Sequence, residues 1–194
     1  MNGVAIGTDA VIDNDVTIGY GWDEDSPKAH IGSGARIRSG TKIYADVTIG
    51  DDFRTGHNAL VRGDTRIADN VLVGTDVVID GACRIGSHVS CQTRAYVPRN
   101  TEIGDRVFLG PHAVLTNDNH PIRGETTLHG PTLKNGVSIG AHATILPDVT
   151  IGADAFVAAG AVVTSDVPAG TLAIGAPARH RELPQQLTGG NQLA

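Results

Sequence analysis

The sequence predicts an all-β chain wound as a parallel β-helix, and three observations carry that expectation. First, every sixth residue from Ile31 to Leu115 is Ile, Val or Leu in thirteen of fifteen cases, with Thr55 and Cys91 the exceptions. Second, the residue four places after each is small, as at Ala35, Thr41, Val47, Ala59 and Cys83, with Phe53 the only large one. Third, Gly follows the large residue at Gly32, Gly50, Gly56, Gly74, Gly86, Gly104 and Gly110, and turn formers such as Asp51-Asp52, His57-Asn58 and Asp69-Asn70 come next. A period of six fits neither helical spacing nor simple strand alternation. It fits a two- to three-residue strand and a tight turn, repeated. Residues four apart share one face of an extended segment, so both apolar positions point inward. The turn positions hold residues that tolerate left-handed backbone angles. Three such hexads close one triangular coil, with large aliphatic residues stacked inside and small ones near the corners.

The elements follow in order. The repeat begins at Ile6, Ile12 and Ile18, with Ala10 and Val16 in the small inward places. An insert at 20–30, holding the only Trp and Asp23, Glu24 and Asp25, shifts the register by one residue and must leave the wall. Residues 31–115 are unbroken. Residues 117–132 lose the pattern and are expected to protrude as a loop, because a regular prism makes a cleft only where a loop or a neighbour stands beside it. The repeat resumes in phase at Leu133, Ile139, Ile145, Ile151, Val157 and Val163. These blocks amount to about eight coils. Past Val167, the run Pro168 to Arg179 reads as an extended segment leaving the last coil. The expected division is therefore a β-helix domain over 1–179 and a tail over 180–194, with at most a short helix and a frayed end.

Composition narrows the function. A column of about two dozen buried aliphatic side chains, at roughly 1.5–3 kcal/mol each, is the main stabilising term. A net charge of -6 argues against a general nucleic-acid binder. No apolar run approaches the roughly 18 residues of a membrane span. Met1-Asn2-Gly3 carries no signal-peptide pattern, and Cys83 and Cys91 fall on inward positions as reduced packing residues, so a cytoplasmic protein is expected. His57, His88, His112 and His142 occupy turn positions, where they point outward at corners. His57 stands out among them, with Arg54, Arg62 and Asp64 close along the chain. Loop 117–132 gathers Asn117, Asp118, His120, Arg123, Glu125 and His129, the densest set of polar candidates in the sequence.

Two stretches resemble a known family. Leu115-Thr116-Asn117-Asp118 with Pro121 is similar to the Thr-Asn-Asp-x-x-Pro stretch of bacterial N-acyltransferases that act on nucleotide-linked amino sugars. Gly136 to Thr164, with Val167-Pro168 and Ile174-Gly-Ala-Pro-Ala-Arg179, resembles the wider hexapeptide-repeat acyltransferases. The resemblance covers residues 1–179. It implies a left-handed prism, although parallel crossovers are otherwise right-handed. It also implies acetyl-CoA as co-substrate, no metal requirement, and a homotrimer with active sites between prisms. Carried over by position, Ala141 and Ala159 offer backbone groups to a pantetheine arm, and Thr164 and Gly175 lie toward the adenine end. Arg179 and Lys134 would meet CoA phosphates. Ser165 stands where the family often has Lys.

In that reading an amine attacks a thioester, and His120 takes the proton, since histidine titrates in the right range. The Asn117 amide or a backbone N–H would donate to the developing oxyanion. Asp118 would orient His120 or hold the acceptor amine. Three alternatives stay open at this point: O-acetylation of a sugar or small hydroxyl compound, a non-catalytic β-helix scaffold, and a relative of the γ-type carbonic anhydrases. The last shares the fold, but no two His here have that family's spacing. A simple turn over Asn117 to His120 is also open.

Overall fold

The computed structural model describes residues 4–22, 25–123 and 127–193. Its chain winds as a left-handed parallel β-helix with three walls. The first wall stacks eight strands from Val4–Ile6 to Thr150–Ile151, and the third stacks eight from Thr17–Tyr20 to Val162–Val163. The second begins at Val11–Ile12 and has ten, because two further strands follow Phe156–Val157. Partners in neighbouring coils are 18 residues apart where no insert intervenes, as in Ile49 with Ile67 and Ile67 with Ile85.

The period of six appears directly in the backbone. Positive φ recurs at every sixth residue from Asp46 (54°) through Asp52, Asn58, Asp64, Asn70 and Asp76 to His112 (58°). Asp and Asn tolerate this region. Ala82, Arg94 and Arg106 also adopt it, at roughly 1–2 kcal/mol apiece, because the stacked coils leave no other path. Inside, Ile37, Ile43, Ile79, Leu109, Leu115, Ile139, Ile145 and Ile151 are fully buried. Phe53 fills a corner and is fully buried as well. The exceptions in the apolar column are satisfied locally. Thr55 Oγ1 accepts from the Arg38 N–H at 2.9 Å and shares a 3.2 Å hydrogen bond with the buried Thr41 hydroxyl. Cys83 and Cys91 are free, buried thiols, and burial pushes them up to about 11 and about 12.

Four features differ from the sequence expectation. Ile6 and Ile12 stand in register with the inward Ile31 and Ile37, as expected, yet are 41% and 39% exposed, because the first coil has a neighbour on one side only. The 20–30 insert is shorter than its pattern break, since Tyr20 ends one strand and Ala29 begins the next. Asp23 and Glu24 of that insert lie outside the described residues. The segment after Val167 does not leave the prism: Thr171–Gly175 adds to the second wall beside Phe156–Val157, then turns back as Ala178–Glu182. The end is also tied down. Beyond a 3₁₀ turn at Gln185–Leu187, Asn191 Nδ2 donates to the carbonyls of Arg106 (2.9 Å), Gly136 (3.2 Å) and Val137 (3.1 Å), and Ser138 Oγ donates to Asn191 Oδ1 at 2.7 Å. One side-chain amide thereby meets three backbone carbonyls where the first wall turns into the second.

Among the described residues no helix is long and apolar enough to cross a membrane. No group of three or more His, Cys, Asp and Glu is placed to hold a metal ion among them.

Candidate functional site

Both breaks in the repeat leave the prism at the same edge, where the third wall turns into the first. The insert joins Thr17–Tyr20 to Ala29–Ile31, and the long loop joins Val114–Leu115 to Thr132–Leu133. Asp118 stands in register with Asp64, Ala82 and Asn100, which all have positive φ at this corner; Asp118 does not, and the chain departs there.

The loop is closed at its base. The His129 N–H donates to the Asn117 carbonyl at 3.0 Å, Asn100 Nδ2 to the Leu128 carbonyl at 2.7 Å, and Asn117 Nδ2 to the Arg99 carbonyl at 3.2 Å. Asp118 Oδ1 accepts the His120 backbone N–H at 2.8 Å. That is an Asx turn. The carboxylate therefore positions the backbone of His120 rather than its ring, and the imidazole projects into solvent from the loop. Asn117 is likewise engaged as a structural amide. His129 approaches a carboxylate, with Nδ1 3.7 Å from Asp148 Oδ1. Glu125 lies outside the described residues.

The residues expected along a CoA path divide among the three edges. Ala141, Ala159 and Gly175 occupy successive floors of the edge between the second and third walls, as the pairings Ile139 with Val157 and Val157 with Ala173 require. Arg179 joins that track from the returning strand, paired with Ile174. Among the described residues the N–H groups of Ala141 and Ala159 donate to no protein acceptor, while the Ala141 carbonyl accepts from Gly160 at 2.8 Å. This track presents unpaired amides along a straight line with a cation at its upper end. A linear amide-bearing arm ending in phosphates has the complementary chemistry. His112 and His142 stack beside it with ring centroids 4.8 Å apart and planes 7° apart. Thr164 lies on the edge that carries the long loop, and Lys134 on the remaining edge, so this chain alone does not bring those two to the track.

The structure adds a cleft of about 500 Å³ on the edge that carries both breaks, lined by Trp22, Tyr44, Asp46, Arg62, Gly63, Asp64 and Arg99. Tyr44 packs on Tyr20 with centroids 5.0 Å apart, and the Arg62 guanidinium lies 5.7 Å from the Tyr44 ring centroid. Asp80 fixes Arg62 at 2.7 Å, a bond that raises the guanidinium pKa, and accepts from the Tyr96 hydroxyl at 3.2 Å. Burial raises the Tyr96 phenol. Asp46 and Asp64 pair with Arg66 (3.1 Å) and Arg84 (3.4 Å). Arg99, Tyr44 and Asp46 drew no attention in sequence. Read at a spacing of 18 instead of six, Tyr44, Arg62 and Asp80 fall in one column, and Ala45, Gly63, Gly81 and Arg99 in the next. That is the signal that would have found them.

Comparisons with known proteins agree with the repeat. Residues 130–165 match the family model described as bacterial transferase hexapeptide (six repeats). The galactoside O-acetyltransferase of Escherichia coli is 39% identical over 83 residues, 40% of this chain and 41% of that protein. A 2,3,4,5-tetrahydropyridine-2,6-dicarboxylate N-acetyltransferase of Staphylococcus aureus is 43% identical over 76 residues, 39% of this chain and 30% of that protein. The matched segments thus span well under half of these relatives. The crystal structure of the UDP-N-acetylglucosamine O-acyltransferase of Moraxella catarrhalis superposes on 94% of this chain and 74% of that one, with a TM-score of 0.55 and 19% identity, which identifies the same fold. By fold the described coils form a left-handed β-helix, and by sequence the later ones carry the bacterial transferase hexapeptide repeat.

Proposed function

We propose that this protein is an acetyl-CoA-dependent N-acetyltransferase acting on a nucleotide-linked amino sugar. The observation that carries the reading is the Ala141–Ala159–Gly175 track, with its unpaired amides and Arg179, on a chain whose partial relatives are acetyltransferases. Acetyl-CoA supplies the acetyl thioester. The acceptor amine attacks the thioester carbon, the C–S bond breaks, CoA leaves as the thiol, and His120 takes the proton lost by the amine. The Asx turn at Asp118 holds the His120 backbone, and the exposed ring is free to reach a substrate. The oxyanion donor is an unpaired corner N–H or the second hydrogen of Asn117 Nδ2, whose first is given to the Arg99 carbonyl.

His120 stands on the loop edge and the amide track on another edge of the same prism. A homotrimer in which one prism's loop faces a neighbour's track would bring them together. The buried reduced thiols fit a cytoplasmic setting. Transfer to a sugar hydroxyl is the second reading, favoured by the match to a galactoside O-acetyltransferase.

Thiol release from acetyl-CoA, measured against a panel of nucleotide amino sugars and their hydroxyl analogues, tests the proposal. Turnover restricted to amines supports N-acetylation. Turnover restricted to hydroxyls overturns it in favour of O-acetylation. No turnover, with no thermal shift on adding acetyl-CoA, overturns both and leaves a scaffold.

A further inference from the structure

The cleft beneath Trp22 is built as a site of its own. The chain has one Trp and three Tyr, and Trp22, Tyr20, Tyr44 and Tyr96 all lie at this one edge. Gly63 lines it, in a column with Ala45 and Gly81 that carries nothing larger than a methyl group. The indole of Trp22 lies over Gly63, 3.1 Å from where a Cβ would sit, and the Arg99 guanidinium lies over Gly81, 3.3 Å from the equivalent point. Gly81, at φ 97°, is in the region that favours glycine. Gly63 and Gly81 belong to adjacent coils, so indole and guanidinium are set about 5 Å apart along the prism.

Trp22 is 59% exposed, a large apolar face left open to solvent. The side chain of Arg99 has no ion pair or hydrogen bond among the described residues, whereas Arg62, Arg66 and Arg84 are each paired with an Asp. The site therefore offers a flat aromatic platform, one free cation a ring's width away, and the carboxylates of Asp46 and Asp64, which accept from hydroxyl or ammonium groups. A pyranose stacks on indole through its C–H face, and a guanidinium pairs with phosphate or carboxylate through a rigid fork.

We infer that this cleft binds a sugar ring carrying an anionic group, with the ring on Trp22 and the anion on Arg99. Its further role, as the acceptor subsite, rests on the acetyl-transfer reading. The binding itself does not. The cleft lies beside the loop, because Asn117 is bonded to the carbonyl of the same Arg99.

Trp22 is the only Trp, so its emission reports occupancy of the cleft without a label. The intact protein, without acetyl-CoA, is titrated with glucosamine 1-phosphate, glucuronate, glucose and inorganic phosphate. A saturable change with glucosamine 1-phosphate or glucuronate is expected, glucose binding at least about tenfold more weakly. Whichever of the two binds more tightly tells phosphate from carboxylate as the source of the charge. Inorganic phosphate alone should leave the emission unchanged. Arg99→Gln, exposed and unpaired, should keep the melting temperature and weaken the anionic sugar about tenfold while leaving glucose unaffected. No saturable response to either anionic sugar, equal affinity for glucose, or an unchanged Arg99→Gln overturns the site. Binding without acetyl transfer to any acceptor upholds the site and sinks the enzyme reading. Transfer whose acceptor KM is unmoved by Arg99→Gln leaves the enzyme and removes the cleft as its acceptor subsite.

Discussion

Two edges of the prism share one backbone and differ in what they do with it. Where the first wall meets the second, side chains close the turns on themselves. The Ser33 N–H donates to Asp51 Oδ1 at 2.7 Å and the Asp51 N–H to Asp69 Oδ1 at 2.8 Å. Ser87, Asp105 and Asn135 repeat the pattern at 2.8 and 2.9 Å. A Cβ at Gly32 would collide with the Asp51 carboxylate and the Gly50 carbonyl, so the glycine there makes room for the ladder. Where the third wall meets the first, no such ladder repeats among the described residues, and Thr150 N–H to Asp166 Oδ1 at 2.7 Å is a single rung. That edge carries both insertions, the Tyr and Trp residues, and an unpaired arginine. The same turn geometry is thus a strut when the next coil supplies a carboxylate, and a mount for a site when it supplies glycine.

The comparison can be broken at its root. Ile67 sits 3% exposed in the central column and supports both edges. Ile67→Asp buries a carboxylate without a partner, at a cost of several kcal/mol or forced protonation. Loss of the cooperative melting transition is the expected result, and an unchanged melting temperature would show that the inward register is misassigned.

A second variant touches only the loop edge. His120→Asn should lower kcat by roughly 10²–10⁴-fold if the ring takes the proton. The neutral limb of the pH profile should disappear, with little change in KM for acetyl-CoA and none in melting temperature. A rate and profile that both survive would leave the loop with acceptor positioning alone. Asp118→Asn would then raise the acceptor KM more than it lowers kcat, because the amide oxygen preserves the turn but not the charge.

The third touches only the strut. Asp69→Ala removes the acceptor for Asp51 N–H, a solvent-exposed bond worth about 1 kcal/mol. Melting should shift by a few degrees, with thiol release unaffected; a loss of turnover would mean that the two edges are not independent.

The smallest effect concerns the two buried thiols, Cys83 beneath the loop edge, where its Sγ donates to the Gly81 carbonyl at 3.1 Å, and Cys91 in the core. Cys83 and Cys91 ionise with more difficulty in the folded chain than in the unfolded one, whose thiols titrate near 9.0. Between pH 9 and the folded values of about 11 and about 12, the unfolded state releases protons that the folded state retains. Their contribution to stability is therefore complete below pH 9 and declines above it. Melting temperatures of the parent and of Cys83→Ala/Cys91→Ala, followed from pH 7 to 10.5, should converge as the pH rises. Parallel curves would mean that other groups set the alkaline limit.

The walls and coils were legible because a period of six is imposed by geometry at every turn. The inward Ile and Val residues, the small partners and the left-handed turn positions all follow from it. The site was legible only where the period failed. The loop announced itself by losing the pattern, but the role of Asp118 did not: a carboxylate two residues before a histidine serves a backbone N–H or a ring equally well until the turn is seen. Arg99 and Tyr44 were hidden for the opposite reason. Each fits the hexad as an ordinary turn or strand residue, and they meet across coils, at a spacing the hexad does not show. Asn191 was invisible too, since one amide reaching 85 residues back to Arg106 leaves no periodic trace.

The 18-residue spacing of wall partners makes length countable. Each coil adds about 4.8 Å to the prism. Trp22 and His120 leave the same edge of the prism, a whole number of coils apart. Excising one coil, or duplicating one, would move aromatic platform and imidazole by a single pitch while leaving the surface chemistry of each intact. With the cleft as acceptor subsite and His120 as base, as proposed above, acceptors shorter or longer by about that increment should then become the preferred ones.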